Sequence, residues 1–292
     1  MDDVVQHYYD GQVEEEWERL ATPYRRLELI STLQLVDEYF PNTGHVADIG
    51  GGPGRYTTEL LRLGYRVTLV DLSENAVAFA RDRLAAEGLR AEALHHADAR
   101  DLSTLATSSF DATLCLGPLY HLISEEDRRS ALSELHRVLK PGAPAIVGSI
   151  NPWGVLRAGL TEFPNLYTMH ETVAPLLESY MQIGEQEMFT EAAFLTPPQA
   201  LRELRAAGFA IVSRAGVEGF ASGTLDAVER IATEWPDAYD TVCQLVAETC
   251  QLPAFRDGTE HLHVVVRCLK SLAGSASGSP QRYAETGIVR PV

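Results

Sequence analysis

The chain has 292 residues and a formal net charge of −17, with 45% hydrophobic and 22% charged residues. That length suffices for one large α/β domain whose core needs neither disulfides nor a structural metal. The acidic field opposes a nucleic-acid partner unless one face is locally basic. The densest basic groups, Arg25-Arg26, Arg81-x-Arg83 and Arg128-Arg129, all have Glu or Asp close by and read as solvated helix faces. No run approaches the roughly 20 apolar residues that span a bilayer. The Met1-Asp2-Asp3 start lacks the pattern of a secretory signal. Four scattered cysteines without a CxxC pair are expected as reduced, buried thiols in a cytoplasmic protein.

Residues 4–40 read as helix, with Leu20, Leu27, Ile30, Leu33, Leu35, Val36 and Phe40 at mostly helical spacing. Pro23 predicts two helices joined near Ala21–Tyr24. From residue 41 to 150 short strands alternate with amphipathic helices. Strands are predicted at His45–Ile49, Arg66–Val70, Ala91–His96, Ala112–Leu116 and Ala145–Ile150. Helices are predicted at Gly54–Leu63, Asn75–Glu87 and Glu125–Leu139. This alternation predicts βαβ units and a parallel sheet, and the continuous apolar runs predict cover on both faces. Residues 151–195 break the rhythm with prolines and aromatics (Trp153, Phe163, Tyr167, Tyr180, Phe189) and read as a lid or substrate insertion. The α/β pattern resumes over 196–270: a helix at Pro197–Ala207, a strand at Phe209–Val217, one helical stretch over Asp226–Glu248 and a last strand at Leu262–Leu269. Residues 271–292 read as a mobile Ser/Gly/Ala tail.

The strongest local signal is Val46-Ala47-Asp48-Ile49-Gly50-Gly51-Gly52-Pro53-Gly54, a strand running through a glycine-rich turn into a helix. Such glycines let backbone approach a ligand, and the helix start offers unpaired N–H groups. A dinucleotide loop wants a further glycine where Arg55 stands. Asp71 ends the second strand and can accept hydrogen bonds from ribose hydroxyls, although an Asp beside Ser73 is also a natural helix cap. Asp98, after the third strand, can accept from the exocyclic amine of an adenine. Acidic groups at three successive strand ends point to one adenosine-like ligand, because such sheets bind ligands outside their carboxyl edge.

Taken in order, Asp48–Gly54, Asp71, Asp98-Ala99, Phe110-Asp111-Ala112 and Val138-Leu139-Lys140-Pro141-Gly142 resemble the class I S-adenosylmethionine-dependent methyltransferases. The resemblance implies a doubly wound seven-stranded sheet, mostly parallel with the last strand antiparallel, and S-adenosylhomocysteine as product. It implies Gly50, Gly52 and Gly54 at the methionine end and Asp48 ordering the loop or holding the amino group. It places Asp71 and Leu72 at the ribose, Asp98 and Ala99 at the adenine, and Leu116 beside them. Gly51 stands where many relatives carry Cys, Thr or Ala.

Leu116-Gly117-Pro118-Leu119-Tyr120-His121 stands where amino-methylases of DNA or glutamine carry Asn/Asp-Pro-Pro-Tyr/Phe. Cys115 follows Leu114 rather than a proline, so a cytosine C5-methylase nucleophile is not indicated. No acidic residue lies between Asp111 and Glu125 to hold Mg²⁺, and His261-x-His263 alone makes no metal site. Tyr120 and His121 are the candidates to meet the acceptor, and Tyr24 is a third from the N-terminal helices. Tyr8, Tyr9 and Trp17 lie on the same helices, where the resemblance implies a tyrosine contact to cofactor or substrate and core packing is an equal alternative, and His170-Glu171 is a further candidate pair. The expected substrate is a small, aromatic molecule. The N-terminal helices and the Cys115–Leu122 stretch resemble natural-product methyltransferases acting at indole C3 of tryptophan-containing cyclodipeptides. N- or O-methylation of another metabolite, a nicotinamide oxidoreductase and a silent cofactor-binding scaffold are the alternatives, and a homodimer is compatible with the sequence.

Overall fold

The computed structural model describes residues 2–182 and 190–270, so Phe189 and the tail expected to be mobile lie outside the described residues. Three helices open the chain: α1 (Asp2–Gly11), α2 (Val13–Arg19) and α3 (Pro23–Tyr39). The break at Pro23 is as expected; a second falls at Gly11–Gln12, so three helices stand where two were read. The repeating part follows as β1 (His45–Ile49), α4 (Arg55–Arg62), β2 (Arg66–Asp71), α5 (Glu74–Ala86), β3 (Ala93–His96) and β4 (Ala112–Cys115). After one short turn, α6 (Pro118–His121), come α7 (Glu125–Val138) and β5 (Pro144–Ile150). Pro118 occupies the first turn of α6, where its missing N–H costs nothing.

The described residues of the 151–195 segment form α8 (Pro152–Glu162), two 3₁₀ turns flanking α9 (His170–Val173), and two short strands, β6 (Tyr180–Gln182) and β7 (Ala192–Phe194). The chain then runs through α10 (Pro197–Ala206), β8 (Phe209–Gly216), α11 (Leu225–Glu234), α12 (Pro236–Thr249), α13 (Pro253–Arg256) and β9 (His261–Cys268). The single helix expected over Asp226–Glu248 is split because Pro236, in the first turn of α12, cannot continue α11.

Among the described residues the sheet has nine strands. Seven follow the expected plan: β3, β2, β1, β4 and β5 lie parallel in that order, and β9 runs antiparallel between β5 and β8. The other two are a correction to the strand count: β7 joins the end of β5 at Ile150↔Phe194, and β6 pairs antiparallel with β7. Both sheet faces are covered. Leu262, Val264 and Val266 of β9 pack with Leu132 and Leu135 of α7 and Leu201 of α10, while Val265 packs with Leu35 of α3 and Leu60 of α4. Burying both alternate faces is what made these strands read as unbroken apolar runs. Helix α7 is capped by the Ser124 hydroxyl accepting from the Asp127 N–H at 3.0 Å, with Glu125, Glu126 and Asp127 in its first turn favouring the helix dipole.

On the α3 face of β9, His263 is 1% exposed and lies 3.0 Å from the Thr32 hydroxyl. That hydroxyl donates to the Glu28 carbonyl at 2.7 Å, so the imidazole Nδ1 carries a proton and donates to it. Burial pushes the His263 pKa down to about 4. Its folded pKa lies below its unfolded value of about 6.5, so this contribution is present above pH 6.5 and lost as pH falls towards 4. His263→Gln removes the linkage. The stability advantage of wild type over this variant is expected to shrink by about 2 kcal/mol between pH 7 and pH 5. Paired thermal or urea melts at the two pH values measure it; an advantage that holds constant or grows on acidification contradicts it.

Candidate functional site

The chain leaves β1 at Ile49 and turns under the end of β2. The N–H groups of Gly50 and Gly51 both donate to the Val70 carbonyl, at 2.7 and 3.2 Å. Gly50 has φ +72°, and a Cβ there would stand 2.4 Å from Cδ of Pro118. Gly52, at φ +52°, has no atom within 4 Å of where a Cβ would be, and its N–H donates to Asp71 Oδ2 at 2.7 Å. The other Asp71 oxygen accepts from the Ser73 N–H at 2.8 Å. Burial raises the Asp71 pKa against these two amides. Each oxygen still has a lone pair to offer.

Asp48 is buried below the loop and accepts from the Thr57 hydroxyl at 2.7 Å. Burial, with a contribution from the Asp71 charge, pushes its pKa up to about 6. At the opposite edge Asp98 is gripped by Arg100, whose Nε lies 3.1 and 3.0 Å from its two oxygens. Arg100 also reaches Asp127 at 3.3 Å.

The N-terminal helices roof this edge of the sheet. Asp10 of α1 accepts from the Ser73 hydroxyl at 2.5 Å, at the start of α5. Trp17 of α2 lies between the guanidinium groups of Arg55 and Arg83, 4.0 and 4.7 Å from its ring centre. Under this roof lies a cavity lined by Asp48, Gly50, Gly52, Asp71, Leu72, Asp98, Ala99, Leu116, Tyr120 and His121. Ten of the twelve site positions singled out in the sequence thus line one cavity, and the other two do not. Gly54 is not in the lining of this cavity: its φ of +87° serves the start of α4, and a Cβ there would meet Ala80 of α5 at 3.1 Å. Tyr24 is fully buried and lines neither this cavity nor the next. Its hydroxyl bonds the Glu260 carboxylate and accepts the Gly223 N–H at 2.8 Å, because α3 turns that face into the packing against α11 and α12.

A second cavity of about 390 Å³ adjoins the first. Its lining includes the aromatics Phe163, Tyr167, Tyr180 and Phe194 and the charged or polar Arg25, Glu162, Glu260 and His261. Among the described residues, Tyr9, Glu16, Arg19 and Tyr120 line both cavities and form their common wall. Arg19 bridges Glu16 and Glu28 at 3.1 and 3.0 Å. Burial opposes the Glu28 charge, but Arg19 outweighs it and holds the Glu28 pKa at about 2. Tyr9, which the sequence left open between a ligand contact and a core aromatic, lines both cavities, whereas Glu16, Arg19, Glu28 and Glu191 are wall residues that the sequence reading did not assign. For Glu16 and Arg19 the hint was a run of acids and Arg19 at helical spacing beside Trp17. His170 and Glu171 line neither cavity, and no metal-binding cluster of His, Cys, Asp and Glu occurs among the described residues.

The first cavity suits a nucleoside carrying a charged tail. Asp71 is held rigidly at its floor with acceptor capacity left, Asp98 stands at one end, and Arg19 with Glu28 at the other. Residues 46–142 match the family model of a methyltransferase domain. A glycine/sarcosine N-methyltransferase of Parasynechococcus marenigrum is 33% identical over 52% of this chain and 55% of its own length. The tRNA 5-carboxymethoxyuridine methyltransferase of Escherichia coli is 25% identical over 80% of this chain and 84% of its own. The chain spans only about half the length of the first curated relatives it matches. Among solved structures, the Burkholderia thailandensis 1,6-didemethyltoxoflavin-N1-methyltransferase, with bound 1,6-didemethyltoxoflavin and S-adenosylhomocysteine, superposes with a TM-score of 0.55. It is 18% identical and covers 90% of this chain and 87% of that one. The chain therefore has the Rossmann-like methyltransferase fold.

Proposed function

We propose that this chain transfers a methyl group from S-adenosylmethionine to a small aromatic acceptor held in the second cavity. The observation that carries the reading is the common wall: a nucleoside-shaped cavity and an aromatic-lined one meet at Tyr9, Glu16, Arg19 and Tyr120. Asp71 would hold the ribose, Asp98 and Ala99 the adenine, and Gly50, Gly52 and Arg19 the methionine end; Asp48 orders the loop through Thr57. The cofactor, when bound, supplies a methyl group on a sulfonium that is already an excellent leaving group. The chain's own residues then have three tasks: to align the acceptor, to exclude water and to take up the proton that the acceptor sheds.

Within this class the acceptor we propose is indole C3 of a tryptophan-containing cyclodipeptide. The aromatic lining at Phe163, Tyr167, Tyr180 and Phe194 supports a ring substrate, and the Glu162 and Glu260 carboxylates support N–H donors on it. Methylation at nitrogen is the second reading, favoured by two matched proteins named as N-methyltransferases. The charge of −17 argues against RNA as acceptor.

The test is mass-spectrometric transfer from methyl-labelled S-adenosylmethionine to a panel of cyclodipeptides, simple indoles, amines, phenols, carboxylates and bulk tRNA. Label on indole carbon is expected. Label on nitrogen or oxygen of a small molecule keeps the reaction and replaces the acceptor. Label on tRNA alone overturns the small-molecule reading, and no transfer despite bound S-adenosylhomocysteine leaves a scaffold.

A further inference from the structure

Resting on that reading, any acceptor that attacks through an O–H or N–H, or through indole C3 with loss of an N–H proton, must discharge one proton. Among the described residues of the common wall, Tyr9 has an imidazole hydrogen-bonded behind it. Tyr9 of α1 places its hydroxyl 2.7 Å from Nε2 of His121, with the two rings edge to face at 5.2 Å and 80°. His121 Nδ1 lies 2.9 Å from the backbone carbonyl of Glu191, next to β7. A carbonyl can only accept, so Nδ1 carries the imidazole proton and Nε2 presents a lone pair. The Tyr9 hydroxyl therefore donates to Nε2, and its oxygen keeps acceptor capacity for a proton arriving from elsewhere.

We propose that Tyr9 is the catalytic residue that receives the acceptor's proton, with His121 the proton store behind it. The acceptor's X–H bond breaks and its proton goes to Tyr9 Oη, while the Tyr9 proton passes to His121 Nε2. The new bond to the methyl carbon forms, and the carbon–sulfur pair stays on sulfur. The positive charge that arrives with the methyl group is matched by the one that appears on the imidazole, so the net charge between the two cavities is unchanged.

Two observations select Tyr9 over its neighbours. His121 lines the cofactor cavity but not the acceptor cavity, so it reaches the acceptor only through Tyr9. Tyr120 lines both cavities but makes no hydrogen bond among the described residues, so it has no partner there to pass a proton to. Burial pushes the His121 pKa down to about 4, which keeps the resting imidazole neutral at pH 7.

Tyr9→Phe keeps the ring packing and removes the relay. With the full chain, kcat is expected to fall about 100-fold, the size of a lost general-base step, while KM for the acceptor and affinity for S-adenosylhomocysteine stay unchanged. Histidine ¹⁵N resonances of the chain saturated with S-adenosylhomocysteine give a readout independent of turnover. The His121 proton is expected on Nδ1, and Tyr9→Phe is expected to shift Nε2 alone. Wild-type kcat in Tyr9→Phe, or a resting proton on Nε2, overturns the relay. If no acceptor is methylated by wild type, the proposed function fails, and the ¹⁵N tautomer alone decides the relay geometry.

Discussion

Asp71→Asn is expected to weaken binding of S-adenosylhomocysteine by about two orders of magnitude while leaving the fold in place. Both carboxylate oxygens accept backbone N–H groups, Gly52 at 2.7 Å and Ser73 at 2.8 Å. An amide has one oxygen, so its NH₂ must face one of those N–H donors, and the Gly52 end of the loop loses its anchor. A hydrogen bond to a charged group contributes about 1.5–3 kcal/mol, and each 1.4 kcal/mol is tenfold in affinity. Losing one such bond to the loop and weakening those to the ribose gives the expected loss. Folding responds differently, because burial raises the Asp71 pKa and removing the charge relieves that cost. Calorimetric titration paired with a thermal melt separates the two effects. Unchanged affinity would remove Asp71 from the site, and collapse of the fold would make its role structural.

Gly50→Ala is expected to damage both stability and transfer, and far more than Gly52→Ala does. Gly50 combines φ +72° with a Cβ position 2.4 Å from Pro118 Cδ and 2.5 Å from Cγ. A left-handed non-glycine residue costs about 1–3 kcal/mol, and forced overpacking adds about the same. The proline ring cannot rotate away, and Pro118 opens α6, which carries Tyr120 and His121. Pushing it back displaces one side of the common wall. A melting temperature lower by on the order of 10 °C is expected, with a larger loss in kcat than in cofactor affinity. Gly52 has positive φ but open space around it, so its alanine variant carries the backbone strain alone. Equal melts for the two variants would show that the Pro118 contact is soft.

The parallel sheet was legible because its strands are buried on both faces and spell continuous apolar runs. The place of Asp71 and Asp98 on the cavity wall was legible because strand ends are fixed by the same runs, and sequence position there translates directly into position at the carboxyl edge of the sheet. Strands β6 and β7 were not: each has three residues, and β7 joins the sheet only where Phe194 meets Ile150. The common wall was hidden for a related reason. Tyr9 and His121 meet across 112 residues of chain, and nothing local to either one records the other. Tyr24 was misplaced because α3 is buried on more than one side, with Tyr24, Leu27, Glu28, Ser31 and Leu35 all inaccessible, so helical spacing could not say which face meets the ligand. Gly54 was misplaced because a left-handed glycine serves a helix start as well as a bound ligand, and only the packing against Ala80 tells them apart.

A crystal structure of the chain with S-adenosylhomocysteine addresses the whole assignment at once. The ribose hydroxyls are expected on Asp71, the adenine beside Asp98 and Ala99, and the sulfur facing Tyr9 and Tyr120 at the mouth of the aromatic-lined cavity. A sulfur atom directed away from that wall, or a ligand bound elsewhere with the cavity under α1 and α2 closed, would contradict the proposed reaction.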